Sequence, residues 1–423
     1  MTRFVYASAL RIIAWILYMT LPEELRRFAE FGAATAVTAT AAADGPARSE
    51  VATYTNSFWS PKQRGGHSLH EVSYRACFKP ELPRFFIDRL TRPGDVVYDP
   101  FVGRGTTSLE AALRGRVPLG CDVNPLSRAL LDPRLRPPTL DEVSRRLDEI
   151  DLSSEAVAPE DLLAFYHPAT LQQICALRSH LQRVAAAGEE TVVDGWIRMV
   201  ALGRLTGHSS GFFSVYTMPP NQAVSVASQL RINARRDQTP PQRDIRHLIL
   251  RKSKALLRDC HADTRSALAD VAPYARTLTA SANHTPDIGD GEVDLVVTSP
   301  PFLDVVDYAK DNWLRAWFCG IDPASVRFTT PKSINAWRDA MTAVFRELAR
   351  VVRPGGHVAF EVGEVRKGAC RLEEHVIPCG LEAGLDPVLI VVNAHRFTKT
   401  ANCWGVANGR QGTNTNRVVL FRK

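Results

Sequence analysis

The chain has 423 residues, of which 45% are hydrophobic and 23% are charged. These proportions are those of a globular protein and exclude a disordered chain or a fibre. The formal net charge of +7 favours a polyanionic partner. The eight cysteines form no C-x-x-C pair, so we expect free thiols, a cytoplasmic location and no metal site.

Residues 1–50 are predicted to be a mobile leader. Residues 4–17 are apolar but too short to span a membrane, and they contain Arg11, so we expect no membrane partner. Residues 33–43 are rich in Ala and Thr without a helical or strand period.

The next informative segment has the order strand, glycine turn, helix. A helix is predicted from Lys79-Pro80 to about Leu90, and a strand over Val96 to Asp99. The turn that follows contains Gly103 and Gly105, which let the backbone approach a ligand closely, and a helix is predicted from Ser108 to Arg114. The strand after it, over residues 117–121, ends at Asp122, whose carboxylate could accept both hydroxyls of a ribose. The segment therefore predicts a nucleoside cofactor.

The identity of that nucleoside follows from Asp99. The glycine spacing departs from the G-x-G-x-x-G of dinucleotide folds, and a carboxylate at this position suits a cationic amino acid better than a pyrophosphate. S-adenosylmethionine fits better than NAD, with its ammonium at Asp99 and its ribose at Asp122.

A second site is predicted where residues 295–297, a short apolar run suited to a buried strand, meet Pro300-Pro301. Two prolines end the strand and leave a stiff turn with free carbonyl groups. The Ser299 hydroxyl, the Pro300 carbonyl and the Phe302 ring could hold a planar base that carries an amino group. An ordinary loop is the alternative interpretation.

Together these segments resemble the motifs of the S-adenosylmethionine-dependent DNA amino-methyltransferases, which modify cytosine N4 or adenine N6. Residues 79–82 are similar to motif X, residues 99–107 to motif I, residues 120–125 to motif II and residues 298–302 (Thr-Ser-Pro-Pro-Phe) to motif IV. The resemblance covers roughly residues 54–130 and 276–423. It implies an α/β, Rossmann-like class I methyltransferase fold, a mostly parallel sheet with helices on both faces.

The resemblance also implies the site residues. The expected cofactor-binding residues are Lys79, Pro80, Asp99, Pro100, Phe101, Gly103, Gly105, Thr106, Thr107 and Asp122. The expected catalytic residues are Ser299, Pro300, Pro301 and Phe302.

The catalytic domain is expected to comprise residues 51–123 and 276–423, separated by a mainly helical insertion over residues 124–275. Thr170 is expected to cap one of its helices. Between Arg204 and Arg258, ten Lys or Arg stand against two acids, which favours contacts with DNA phosphates; a solvated basic face is the alternative. By resemblance, this insertion would carry target recognition.

In the second half, a strand is predicted over residues 277–281, and Ser281 to Asn283 lie where the family contacts the adenine ring. A helix is predicted over residues 337–351, a strand from His357 and a last strand over residues 414–422. Asp304 and Asp307 are candidates for helix caps or for proton acceptors.

The expected activity is site-specific methylation of cytosine N4 in double-stranded DNA, with the target base flipped out and a cognate restriction endonuclease as a possible partner. Ser299 before Pro-Pro favours cytosine N4 within the family, and adenine N6 is the close alternative. An RNA methyltransferase and a nucleic-acid binder without catalysis remain as further alternatives.

Overall fold

A computed structural model of the protein describes residues 20–43, 50–59, 66–75, 77–218, 222–301, 308–328, 331, 333–362, 364–365, 370–398 and 411–423. Its strands are β1 (Ala36–Ala41), β2 (Glu50–Asn56), β3 (Val96–Asp99), β4 (Val117–Asp122), β5 (Arg276–Thr279), β6 (Val293–Thr298), β7 (Val352–Val362), β8 (Glu364–Val365), β9 (Cys370–Arg371), β10 (Asp386–Thr398) and β11 (Gln411–Arg422).

Nine of these strands form one sheet in the order β1-β2-β10-β11-β7-β6-β3-β4-β5. Strands β7, β6, β3, β4 and β5 are parallel neighbours. Strand β11 runs antiparallel between β7 and β10, and β1 pairs antiparallel with β2 at the edge. The chain leaves β3 toward β4 and β5 and later returns on its other side with β6 and β7. This reversal places a topological switch point between β3 and β6, where open α/β sheets bind ligands.

The helices outside residues 124–275 are α1 (Leu21–Arg27), α2 (Glu81–Leu90), α3 (Thr106–Leu113), α11 (Tyr308–Cys319), α12 (Ile334–Val351) and α13 (Leu372–Glu382). Apolar side chains alternate between the two sheet faces because successive strand residues point in opposite directions. On one face, α2 packs its Phe86 against a cluster that includes Val97 and Val297. On the other face, α12 packs Phe345 against a cluster with Val296.

The remaining helices lie between β4 and β5: α4 (Leu126–Leu135), α5 (Leu140–Glu149), α6 (Pro168–Ala186), α7 (Val192–Leu202), α8 (Val226–Arg236), α9 (Ile245–Leu256) and α10 (Ala262–Val271). Their apolar faces share a third core that includes Leu171 and the fully buried Trp196. Helices α5 and α7 are also joined by the ion pair of Arg146 with the buried Asp194. A second packed unit is thus inserted into the crossover between two neighbouring strands.

The α/β class I methyltransferase fold is confirmed, with helices on both faces of a mostly parallel sheet. The strand at 96–99 is confirmed residue for residue, and the strands predicted over residues 295–297 and 414–422 are confirmed with additional residues at their ends. No helix in the described part of the chain is both long and apolar enough to cross a membrane.

Three local predictions are wrong. The expectation of a mobile leader fails for residues 20–43, because α1 is present and β1 pairs with β2 in six register positions from Ala36 to Ala41. Thr170 lies inside α6, whose cap is His167, and its hydroxyl instead bonds the carbonyl of Arg243. Strand β7 begins at Val352 rather than His357, because Val352 already pairs with Val293 of β6.

Candidate active site

A cavity of about 230 Å³ opens at the carboxyl ends of β3, β4 and β6. It is lined by residues from three separate parts of the chain: Tyr74, Cys77 and Phe78; Asp99 to Arg104, Thr106, Asp122 and Val123; and Ser281 to Asn283, Ser299, Pro301, Tyr308, Phe328, Ala340, Met341 and Val344. Residues from motif I and from the Ser-Pro-Pro turn therefore share one space. This follows from the parallel pairing of β3 with β6, which brings their ends together.

The two turn glycines have different tasks. Gly103 has φ +50°, lines the cavity and donates its N–H to Oδ2 of Asp122 at 2.9 Å. Gly105 has φ +79°, and a Cβ there would lie 2.6 Å from the side chain of Leu131. Gly105 thus serves close packing of α3 against α4 rather than the cavity.

Asp99 is a nearly buried carboxylate at the end of β3. It is 2% exposed, and its Oδ1 accepts hydrogen bonds from the Thr298 hydroxyl at 2.6 Å and from the Phe101 N–H at 3.1 Å. Burial outweighs these hydrogen bonds and raises the pKa of Asp99 to about 7. A nearby cation would favour the ionised form.

Asp122 ends β4 and holds the turn. Its two oxygens accept the N–H groups of Gly103 and Asn124, both at 2.9 Å. Burial raises the pKa of this carboxyl as well, and the two backbone hydrogen bonds oppose that rise. Because the carboxylate is partly exposed and lines the cavity, its remaining lone pairs can accept ribose hydroxyls.

The Ser-Pro-Pro turn presents Ser299 and Pro301 to the cavity. Pro300 is buried and does not line it. The Pro301 carbonyl accepts a hydrogen bond from Nε1 of Trp337 at 3.2 Å, which ties the turn to α12. Phe302, Asp304 and Asp307 lie outside the described residues.

Other predicted residues also lie away from the cavity lining. Lys79 and Pro80 do not line it, whereas Phe78 and Cys77 just before them do. Thr107 is fully buried, and its hydroxyl bonds the carbonyl of Val297 in β6. In this way motif residues position the strands as well as the ligand.

Several cavity residues were missed by the sequence analysis. Tyr308 and Phe328 stack with ring centroids 6.0 Å apart and planes 16° apart, while Met341 and Val344 of α12 supply an apolar wall. The sequence around these four residues predicts only helices and a loop. Their position at the cavity depends on how α11 and α12 pack, which the local sequence does not show. The predicted position of Ser281 to Asn283 agrees with the cavity lining.

Within the described residues, no group of three or more His, Cys, Asp or Glu side chains could hold a metal ion. The cavity lining instead combines two carboxylates with aromatic rings and small polar groups. Such a set suits a ligand with a cationic amino acid, a ribose and a planar base, which is the composition of S-adenosylmethionine.

Comparison with known proteins identifies the relatives. A family model described as DNA methylase matches residues 37–127. The Type II methyltransferase M.BsoBI of Geobacillus stearothermophilus is 22% identical over 306 residues, which are 66% of this chain and 58% of that protein. The Type II methyltransferase M.MjaII of Methanocaldococcus jannaschii is 31% identical over 77 residues, 18% of this chain and 14% of that protein. The chain thus spans little more than half of the first relative and a small part of the second.

Among solved structures, a DNA modification methylase from Thermus thermophilus, complexed with S-adenosyl-L-methionine, aligns at 21% identity with a TM-score of 0.19. The alignment covers 32% of this chain and 49% of that one. A likeness of this extent supports no conclusion about function.

The sheet order and the cavity at its switch point are those of the class I methyltransferase fold. Within that fold, the chain is similar to DNA methylases over residues 37–127 and to the two Type II methyltransferases. The cavity lining fits S-adenosylmethionine, which would supply a methyl group activated on a sulfonium. Asp99, Gly103 and Asp122 are the residues here that would hold it.

Proposed function

We propose that this protein transfers a methyl group to the exocyclic N4 amino group of cytosine in double-stranded DNA. The observation that carries the proposal is the single cavity that contains Ser299 and Pro301 together with Asp99, Gly103 and Asp122. A methyl donor and a base amino group held in that cavity would be within reach of one another. Proximity and orientation of this kind can supply much of a transfer barrier.

The Ser-Pro-Pro turn would act by accepting a hydrogen bond from the amino group of the base. The lone pair of an exocyclic amino nitrogen is delocalised into the ring, so the nitrogen is a poor nucleophile. Ser299 Oγ can accept one amino hydrogen and favour the pyramidal nitrogen that attacks the methyl carbon. The new N–C bond forms as the C–S bond breaks, and the bonding pair stays on sulfur. The base must be flipped out of the duplex to enter the cavity.

Helix α8 supports DNA as the substrate. Its outward positions include Ala227, Leu230 and Arg231, and the same pattern continues one turn later at Ala234 and Arg235. These positions repeat at intervals of three and four, so they form one exposed stripe of small, apolar and basic side chains. An α-helix with such a face fits the major groove, where Arg reads guanine and apolar groups contact thymine methyls.

The inner face of α8 is held by amide side chains. Gln229 donates to the Tyr216 carbonyl at 3.1 Å, and Asn233 donates to the Ala164 carbonyl at 2.7 Å. Arg236 lies over the Tyr216 ring, 3.8 Å from its centroid. The helix is thus fixed in place by polar contacts while its basic face stays exposed.

The start of α8 is connected to the cavity through α11. The Ala223 N–H bonds the Asp311 carbonyl at 3.3 Å, and Trp313 Nε1 bonds the Val224 carbonyl at 3.2 Å. Tyr308, one turn earlier on α11, lines the cavity. DNA lying on α8 would therefore have its target base close to the cavity.

The basic segment is not uniformly available to DNA. Arg246 donates to the carbonyls of Leu147 and Ile150, and Arg204 lies over the Phe212 ring at 4.1 Å. These two side chains hold the insertion together. Exposed Arg231 and Arg235 are better candidates for phosphate or base contacts.

The test is to incubate the protein and labelled S-adenosylmethionine with unmodified duplex DNA, and in a parallel reaction with RNA, to digest each nucleic acid to nucleosides and to identify the labelled nucleoside by mass. N4-methylcytosine is expected. Label in N6-methyladenine would show that the target is adenine N6, and label only in RNA would show that the substrate is RNA. Absence of label in any nucleic acid, with cofactor binding intact, would refute methyl transfer.

We also propose a companion restriction endonuclease for the same DNA site, because the relatives are named Type II methyltransferases. Protection of DNA from one endonuclease after methylation, and of no other, is the expected result.

A further inference from the structure

Glu361 is a buried carboxylate next to the proposed catalytic serine, and it has no part in the chemistry described above. Strands β6 and β7 are parallel, with Thr298 paired to Phe360. Ser299 and Glu361 therefore follow at adjacent positions of neighbouring strands. Both continue the sheet face of Val297 and Ala359, because side chains alternate along each strand.

The surroundings of Glu361 are polar but provide few partners. Its side chain is 5% exposed, and its Oε1 accepts a hydrogen bond from Nδ2 of Asn416 at 3.2 Å. Burial raises its pKa, and hydrogen bonds with Ser299 and Asn416 oppose the rise. The Ser299 hydroxyl thus lies beside a buried carboxylate to which it can donate.

The ionisable groups on the elements packed around Glu361 include Lys79, Glu81 and Arg84 at or just before the start of α2, Asp99 on β3 and Arg417 on β11. Arg84 is paired with Glu110, and Arg417 with Glu373. Asp99 is bonded by Thr298. Among the ion pairs between described residues, none involves Glu361, so its ionisation is governed by burial and by its two hydrogen bonds.

This arrangement fixes the direction of the hydrogen bond at Ser299. An ionised Glu361 can only accept, so the Ser299 hydroxyl donates to it. The lone pairs of Oγ then remain free to accept an amino hydrogen from a base in the cavity. A hydroxyl alone is a weak base, but one hydrogen-bonded to a carboxylate can pass its own proton on as it receives another.

We propose that Glu361 receives, through Ser299, the proton that the base amino group loses on methylation. This inference rests on the proposed function. As the N–C bond forms, the nitrogen carries a positive charge; one N–H proton passes to Ser299 Oγ, while the Oγ–H proton passes to the Glu361 carboxylate. The neutral methylated base leaves, and Glu361 returns its proton to water.

The burial of Glu361 suits this task. A carboxyl whose pKa is raised toward neutrality is a better proton acceptor than an exposed one, provided that it is ionised at the working pH. Methyl transfer should therefore increase with pH through the pKa of Glu361 and level off above it.

The experiment is single-turnover methylation of duplex DNA from pH 5 to pH 9 at saturating cofactor, which removes the pH dependence of cofactor binding. Glu361→Gln keeps the size and hydrogen bonding of the side chain but cannot take a proton. We expect a loss of about 100-fold or more, within the range of general-base catalysis, and loss of the ascending limb. Asn416→Ala removes a donor to the carboxylate, so the ascending limb should move to higher pH.

Glu373→Gln is the matched control, because Glu373 is also a buried carboxylate and pairs with Arg417 on β11. It is expected to lower the melting temperature and leave the pH profile unchanged. A Glu361→Gln enzyme that is as fast as the wild type, or slower with the same pH profile, would overturn the proton path. If Glu361→Gln does not fold, an unshifted profile for Asn416→Ala overturns it. A wild-type protein that methylates no DNA would instead refute the proposed function, and the inference with it.

Discussion

The raised pKa of Asp99 makes cofactor binding depend on pH. The carboxyl is nearly buried and has a pKa of about 7 without ligand. If the ionised form pairs with the ammonium group of S-adenosylmethionine, affinity follows the ionised fraction of Asp99. Binding should then be weaker at low pH and increase through about pH 7.

The size of the effect follows from the titration. With a pKa of about 7, roughly one Asp99 in eleven is ionised at pH 6 and roughly ten in eleven at pH 8. From Asp99 alone the dissociation constant would fall about tenfold between these two values; the α-amino group of the cofactor, with an ordinary pKa of about 8, is about half deprotonated at pH 8, so the net fall should be about fivefold, or about 1 kcal/mol. Above about pH 8 the α-amino group of the cofactor itself loses its proton, so affinity should decline again.

Isothermal titration calorimetry measures both consequences. The affinity of the wild type should pass through a maximum near about pH 7.5, and binding at pH 6 should release a proton, which is seen by repeating the titration in buffers of different ionisation enthalpy. Asp99→Asn should lose the ascending limb and the proton release. Asp122→Asn is the control: it should weaken cofactor binding at every pH but keep the increase of affinity with pH that Asp99 causes. Equal affinity at pH 6 and pH 8 in the wild type, or an unchanged limb in Asp99→Asn, would refute the assignment of Asp99 to the ammonium.

Three further predictions concern the proposed base site, the DNA face and the turn. Ser299→Ala should reduce methyl transfer by about 100-fold or more while cofactor affinity, measured by calorimetry, stays nearly unchanged; equal losses of both would contradict the division of roles. Replacing Arg231 and Arg235 by Ala should weaken DNA binding and lower the slope of log affinity against log salt concentration by about one unit for each phosphate that is no longer neutralised. Arg353→Ala is the control, because Arg353 pairs with Asp294 at the amino ends of β6 and β7, opposite the cavity; it should change neither DNA affinity nor its salt dependence. Gly105→Ala should cost about 2–4 kcal/mol of unfolding free energy, because φ is +79° and the new Cβ would clash with Leu131. Denaturant titration measures that loss, and a stable Gly105→Ala protein would mean that the turn can rearrange.

Strand β1, at the edge of the sheet, shows a limit of prediction from local sequence patterns. The Ala-Thr segment at residues 36–41 has no periodicity because all but one of its side chains are exposed. It is a strand because β2 offers it a hydrogen-bonding partner. No property of the segment alone predicts that pairing.

The amino-acid sequence by itself determined the elements whose cause is local. Consecutive prolines end a strand wherever they occur. The apolar runs before Asp99 and Ser299 are stable in water only when they are buried, as in the centre of a sheet. The order of strand, glycine turn and helix within a few residues was enough to predict a nucleoside cofactor, and the family resemblance that these motifs carry implied the class of fold.

Only the tertiary structure decided which of these residues share a space. Ser299 is 200 residues from Asp99 in the chain. The two residues come together because β6 pairs in parallel with β3, which brings the carboxyl ends of the two strands to the same place. The same pairing rule places Glu361 beside Ser299 and directs Thr107 into the sheet rather than the cavity. Contacts between distant strands depend on register and packing, which no local pattern in the chain encodes.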